Sequence, residues 1–220
     1  VENNVSQECL EEFVFAARRI ADHGLVLCGS GNLSRRIDDQ TMLISTTGAW
    51  LADLTKDQVA VCRIRDGVCL NSKTPSIELG FHSAILRERQ DVNVVLHFQS
   101  PCATILACRK EQTYDRLFVT PEIPYYIGPV AVVPYMDPGS VGLAEAVTSA
   151  LREHDLASLQ NHGQVTVGRD FREAFQRAAY FEFASEICLR GGESVGSLGE
   201  EAVESLYRAR QASLQQARSV

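Results

Sequence analysis

Glu78, His97 and His162 are the side chains of this sequence best suited to chemistry. Two imidazoles and a carboxylate are the parts of an open metal site that keeps a position for water or substrate. His97 lies in Val94-Val-Leu-His97-Phe-Gln99-Ser-Pro101, an apolar run that turns polar at its end. Such a run reads as a buried strand closed by Ser-Pro, with His97 and Gln99 on one side and Phe98 on the other. His162 stands in Asn161-His162-Gly163, at a break in a strand, where a side chain can converge on a site without disturbing a core. Glu78 follows Thr74-Pro75-Ser76-Ile77. Thr74 suits a helix N-cap and Pro75 the first helical position, which predicts a helix to about Arg89. Glu78 then falls in its first turn, with Ile77, Phe81, Ala84, Ile85 and Leu86 facing inward. Each residue also has a plainer role. A lone strand histidine is most often a hydrogen-bonded core residue, and a first-turn glutamate complements the helix dipole. Glu78 and His82, at i and i+4, share a face by a spacing common by chance; His82 reads as a supporting residue rather than a ligand.

Two small-residue loops lie upstream. Gly29-Ser30-Gly31-Asn32 could wrap an anion, although such clusters are usually turns and this one lacks P-loop or G-x-G-x-x-G spacing. Thr46-Thr47-Gly48 is the second.

The surrounding elements follow from periodicity. A helix over 6–23, capped by Ser6 and stopped by Gly24, buries Leu10, Phe13, Val14, Ala17, Ile20 and Ala21. Strands are predicted over 33–37, 42–45 and 59–64, the last turning at Arg65-Asp66-Gly67 into 68–70. The strand at 92–98 precedes a small-residue helix beginning at Pro101. Residues 109–129 are irregular, rich in proline, and hold Tyr125-Tyr126. A strand over 130–133, a helix from Pro138-Gly139-Ser140 to about His154, and a strand over 156–159 that resumes at 165–167 come next. A helix over 171–190, with Phe171, Ala174, Phe175, Ala178, Phe181 or Phe183, and Ile187 inward, and a last helix over roughly 199–217 end the chain. This alternation predicts one layered α/β/α domain over 1–220, with a mixed, largely antiparallel central sheet covered by helices.

Composition narrows the class. A net charge of −7 without a long basic run argues against a nucleic-acid binder. No stretch reaches the apolar length of a membrane span. Seven cysteines, an odd number without a C-x-x-C pair, point to free thiols and a reducing, cytoplasmic setting. The polar, acidic first residues do not form a signal peptide, and the missing initiator Met suggests a trimmed start.

In order, Gly31-Asn32, Thr47-Gly48, Pro75-Ser76-x-Glu78, Val-Val-x-His97-x-x-Ser-Pro and Asn161-His-Gly163 resemble the class II aldolase/adducin family, from residue 10 to about 190. The resemblance implies a lyase that cleaves a small ketose 1-phosphate, such as L-fuculose 1-phosphate, to dihydroxyacetone phosphate and an aldehyde. It implies a divalent cation, usually zinc, held by a His-x-His strand that matches His97 and Gln99 and by a His-Gly turn that matches His162. Glu78 matches the glutamate that approaches the metal and shuttles the proton. Gly31, Asn32, Thr47, Gly48 and Ser76 match the phosphate loops. The assembly implied is a homotetramer, with a tyrosine lent by a neighbour; Tyr125 is the nearest match and Tyr126 the alternative. Pentulose-5-phosphate 4-epimerase, sugar dehydratase and a non-catalytic adducin-like oligomerisation domain are the other implied readings.

Two positions depart from the pattern. Gln99 stands where the family has a second histidine, and an amide oxygen is a harder, weaker zinc ligand than imidazole. Either Gln99 coordinates through its oxygen, or Glu78, His97 and His162 hold the ion with water, or the site binds metal poorly; the second, with Gln99 as a possible fourth ligand, is the expectation. Ile77 stands where phosphate-binding members have a second serine. Loss of that hydroxyl removes a charge-assisted hydrogen bond, roughly 1.5–3 kcal/mol, and opens the way to an unphosphorylated substrate.

Overall fold

The computed structural model describes residues 5–110 and 114–218. Residues 1–4, 219–220, and 111–113 within the predicted irregular segment, lie outside them. Among the described residues, seven strands form one sheet in the order β3-β2-β1-β4-β7-β6-β5. They are β1 (Asn32–Arg36), β2 (Thr41–Ser45), β3 (Val59–Arg63), β4 (Val94–Phe98), β5 (Ala131–Val133), β6 (Leu156–Leu159) and β7 (Gly163–Gly168). The β5–β6 pair is parallel and the other pairs are antiparallel. The expected mixed, largely antiparallel sheet is therefore present.

Strand alternation divides the core in two. Leu33, Leu43, Val94, Leu96 and Phe98 meet α1 (Gln7–Asp22), α3 (Pro101–Ala107) and α5 (Phe171–Gly191) on one face. Met42, Ile44, Val95, Val165 and Val167 meet α2 (Leu79–Glu88) and α4 (Val141–Ala150) on the other. The result is the expected α/β/α layering. Ser6 caps α1 as predicted, accepting from the Cys9 N–H at 3.1 Å. The closing helix α6 (Glu200–Arg218) touches the body through a π-helical turn, Ile123–Ile127.

Three predicted details differ. The helix after Thr74-Pro75 begins at Leu79, not Pro75. Residues 74–76 are extended because their backbone pairs with the end of β2: Ser76 N–H donates to Ser45 O and Thr47 N–H to Thr74 O, both at 3.1 Å. Glu78 is consequently the residue before the helix, and Ile77 is exposed rather than inward. The interrupted strand at 156–167 is instead a tight antiparallel hairpin of β6 and β7, closed at Leu159–Gly163 with Asn161 at φ 54°. Along α5, Phe181 is buried and Phe183 exposed. The return at 68–70 pairs with β3 through one bridge, Cys62–Cys69.

Candidate metal and substrate site

The end of β4, the β6–β7 turn and the entry to α2 meet at one point. Strand β4 is central and buried throughout, so His97 is held rigidly with 1% of its surface exposed. Its Nδ1 lies 2.9 Å from the Gln164 carbonyl. A carbonyl only accepts, so Nδ1 carries the proton and Nε2 presents a lone pair. That Nε2 faces Glu78 Oε2 at 3.5 Å, and His162 Nε2 faces Glu78 Oε1 at 3.6 Å. The two imidazole rings meet edge to face, with centroids 4.8 Å apart.

Glycine makes the approach of His162 possible. A Cβ on Gly163 would fall 2.6 Å from Gln99 Cγ and 2.7 Å from the Phe98 carbonyl. A Cβ on Gly31 would likewise fall 2.0 Å from Val26 Cγ1 and 2.7 Å from the His97 carbonyl, so the first polar loop lies directly against β4. Glu182 of α5 secures the other side: its carboxylate accepts from Ser100 Oγ and from the N–H groups of Cys102 and Ala103 at 2.7–2.9 Å. It thereby anchors the start of α3 immediately after Gln99.

Burial and the neighbouring His97, opposed by Glu78, push the His162 imidazole down to about 4. His162 is therefore neutral at pH 7, and its contact with Glu78 is not an ion pair. Glu78 Oε1 and His162 Nδ1 are buried without a hydrogen-bond partner among the described residues. One ligand atom from each of Glu78, His97 and His162 lies within 4.8 Å of the others. Converging lone pairs and an orphaned carboxylate oxygen fit a cation-binding donor set, because each donor is costly to bury unpaired.

The trio forms one wall of a cleft of about 280 Å³ that Gln99, Gly31, Thr47, Gly48 and Ser76 also line. Ser76 Oγ accepts from the Glu78 N–H at 3.3 Å, leaving its own hydroxyl proton for a ligand. Asn32 reaches the cleft, but its side chain turns inward: Nδ2 donates to Glu78 Oε2 at 2.8 Å, and Oδ1 meets His82 Nε2. Tyr125 and Tyr126 sit elsewhere, in a pocket with Arg177 and Arg210, so one chain does not bring Tyr125 to the trio. Sequence reasoning missed Ser34, which binds His82, and the Gln164 carbonyl that sets the His97 tautomer. Both act through tertiary contacts that leave no local pattern.

The model of the Class II Aldolase and Adducin N-terminal domain matches residues 11–189. The chain belongs to this family. It is 29% identical to the 3-oxo-tetronate 4-phosphate decarboxylase of Haemophilus influenzae, over 80% of this chain and 85% of the relative. It is 31% identical to the L-fuculose phosphate aldolase of Methanococcus maripaludis, over 81% and 94%. The crystal structure of YgbL from Klebsiella pneumoniae is 28% identical and superposes with a TM-score of 0.85, covering 91% of this chain and 98% of that one. Family membership and the layered fold thus agree with what the sequence motifs imply.

Proposed function

We propose that this protein is a divalent-metal-dependent lyase that cleaves a small ketose 1-phosphate, such as L-fuculose 1-phosphate, to dihydroxyacetone phosphate and an aldehyde. The observation that carries the reading is Glu78 Oε1: a buried carboxylate oxygen without a partner among the described residues, facing His162, on a residue that lines the cleft. A divalent cation, zinc by family habit, held by Glu78, His97 and His162 with Gln99 as a fourth ligand, would supply Lewis-acid polarisation of the substrate carbonyl. Ser76 and the loops at Gly31-Asn32 and Thr47-Gly48 would orient the phosphate. As the C3–C4 bond breaks, its electron pair passes into the C2 carbonyl, giving an enediolate, and the C4 hydroxyl proton leaves toward Tyr125 of a second copy. Glu78, which starts ionised and takes the C3 hydroxyl proton as the enediolate forms, then delivers that proton to C3, and the proton held by the tyrosine returns through solvent to the product hydroxyl. This reading takes residues 1–220 as one domain of a cytoplasmic homotetramer, the second copy supplying the tyrosine.

A second reading, loss of carbon dioxide from a phosphorylated 3-oxo acid, is favoured by the decarboxylase relatives, which match as well as the aldolases do. It needs the same enediolate and the same protonation by Glu78; only the leaving group differs. The deciding experiment is product analysis on chelator-stripped protein resupplied with zinc, manganese or cobalt. L-fuculose 1-phosphate is expected to yield dihydroxyacetone phosphate only with metal. Carbon dioxide from 3-oxo-tetronate 4-phosphate, without aldol cleavage, would select the second reading, and equal turnover of free L-fuculose would overturn the phosphate requirement.

A further inference from the structure

The two oxygens of Glu78 are held differently. Oε2 accepts from Asn32 Nδ2 at 2.8 Å, whereas Oε1 has no hydrogen-bond partner among the described residues. Behind Asn32 lies a short buried relay: Asn32 Oδ1 meets His82 Nε2 at 2.5 Å, and His82 Nδ1 meets Ser34 Oγ at 2.7 Å. Ser34 and His82 are fully buried, and Asn32 and Glu78 are 7% and 5% exposed. We infer that His82 is the positioning residue of Glu78, holding the Asn32 amide so that it presents N–H rather than oxygen to the carboxylate.

The direction of the relay follows from donor and acceptor chemistry. An ionised carboxylate only accepts, so Asn32 must turn its NH₂ toward Oε2. Its carbonyl then faces His82 and needs a donor there. Neutral imidazole has one N–H, and placing it on Nε2 leaves Nδ1 to accept from the Ser34 hydroxyl. Burial holds the His82 imidazole well below the usual histidine range, which keeps it in the neutral form. Phe81 stacks on the ring at 4.7 Å between centroids and fixes its plane. Without the His82 donor the Asn32 carbonyl is left buried and unpaired, so the side chain shifts to find another partner and its N–H no longer holds Oε2. Glu78 then loses its anchor, and Oε1 leaves its place opposite His162. The consequence for catalysis rests on the proposed role of Glu78; the orientation of the carboxylate does not.

The test has two parts. Long-range ¹H–¹⁵N correlation spectra of the native, chelator-treated protein report the His82 tautomer without a substitution. A protonated Nε2 and an unprotonated Nδ1 are expected; the opposite tautomer reverses the relay and overturns the inference. The second part compares His82→Gln, long enough to donate to Asn32, with His82→Asn, which reaches Ser34 but not Asn32. His82→Asn is expected to weaken zinc affinity about tenfold and lower kcat about tenfold with KM little changed, as loss of a ligand's supporting hydrogen bond does, while His82→Gln stays within about threefold. Equal behaviour of two folded variants overturns the inference. Should the wild type bind zinc without cleaving any sugar phosphate, the lyase reading fails, and a zinc affinity that falls in His82→Asn but not in His82→Gln still upholds the positioning role.

Discussion

Residue 99 sets how hard the donor set of this site is. With Gln99 the cleft offers two imidazoles, a carboxylate and an amide oxygen; with histidine it would offer a third nitrogen. Imidazole suits zinc better than an amide oxygen, so Gln99→His is expected to tighten zinc binding by about tenfold or more and to narrow the range of metals that support activity. Competition with a chromophoric chelator measures this directly. An unchanged zinc affinity would mean that position 99 stays out of reach of the ion, leaving Glu78, His97 and His162 as its protein ligands. The three chemical side chains were legible in the sequence because each sits at a local discontinuity: a strand end, a His-Gly turn, a Pro-Ser-x-Glu entry. Asn32 was not. Its motif groups it with the anion loops, and only the packing of α2 on β1 reveals that its amide faces Glu78 and His82.

Elements that never touch the cleft hold the sheet in place, and Asp155 shows how. Its carboxylate, 7% exposed, pairs with Arg89 Nη2 at 3.0 Å, with Arg177 Nη2 at 2.8 Å, and with Arg210 from α6. Arg177 is itself 4% exposed, and it also donates to the Tyr126 carbonyl at 2.9 Å, tying α5 to the π-helical turn. Arg89 keeps Asp91 and Arg177 keeps Glu173, but the carboxylate these two share with Arg210 is lost, so Asp155→Ala is expected to cost about 3 kcal/mol, the low end for a broken buried pair. Urea unfolding gives that figure, and limited proteolysis should show α6 cleaved sooner once Arg210 loses its anchor. A loss below about 1 kcal/mol would make the cluster a solvated surface network. Periodicity revealed α1 and α5 because each buries one face, and short apolar runs revealed the central strands, which are buried on both. It failed at Thr74-Pro75, where cap-like residues pair with β2 instead, and at 156–167, where a hairpin reads locally like one broken strand. Backbone pairing decided both, with the distant end of β2 at 74–76 and across a tight turn at 160–162, and residue propensity alone encodes neither.

At the scale of the whole molecule, the two site-side histidines make folding dependent on pH. Burial holds His82 well below the ordinary histidine value and, with His97, pushes His162 down to about 4. In the unfolded chain both titrate near 6.5. Below that pH the unfolded state takes up protons that the native state refuses, so the difference in bound protons makes stability rise with pH. The stabilisation is complete above about 6.5 and is lost progressively as pH falls toward 4, where His162 begins to protonate in the fold as well. A metal held by the proposed site would strengthen the trend, because its ligands must be deprotonated to bind. The urea midpoint of chelator-treated protein is therefore expected to fall between pH 7 and pH 5, above the range where most carboxylates titrate. Zinc should raise the midpoint at pH 7 and lose much of that effect at pH 5. The double variant His82→Gln/His162→Gln removes both groups and should flatten the metal-free profile in this window. A wild-type midpoint that stays level from pH 7 to pH 5 would show that these imidazoles accept protons in place, and with them the view of a site built from neutral, lone-pair-bearing histidines would fail.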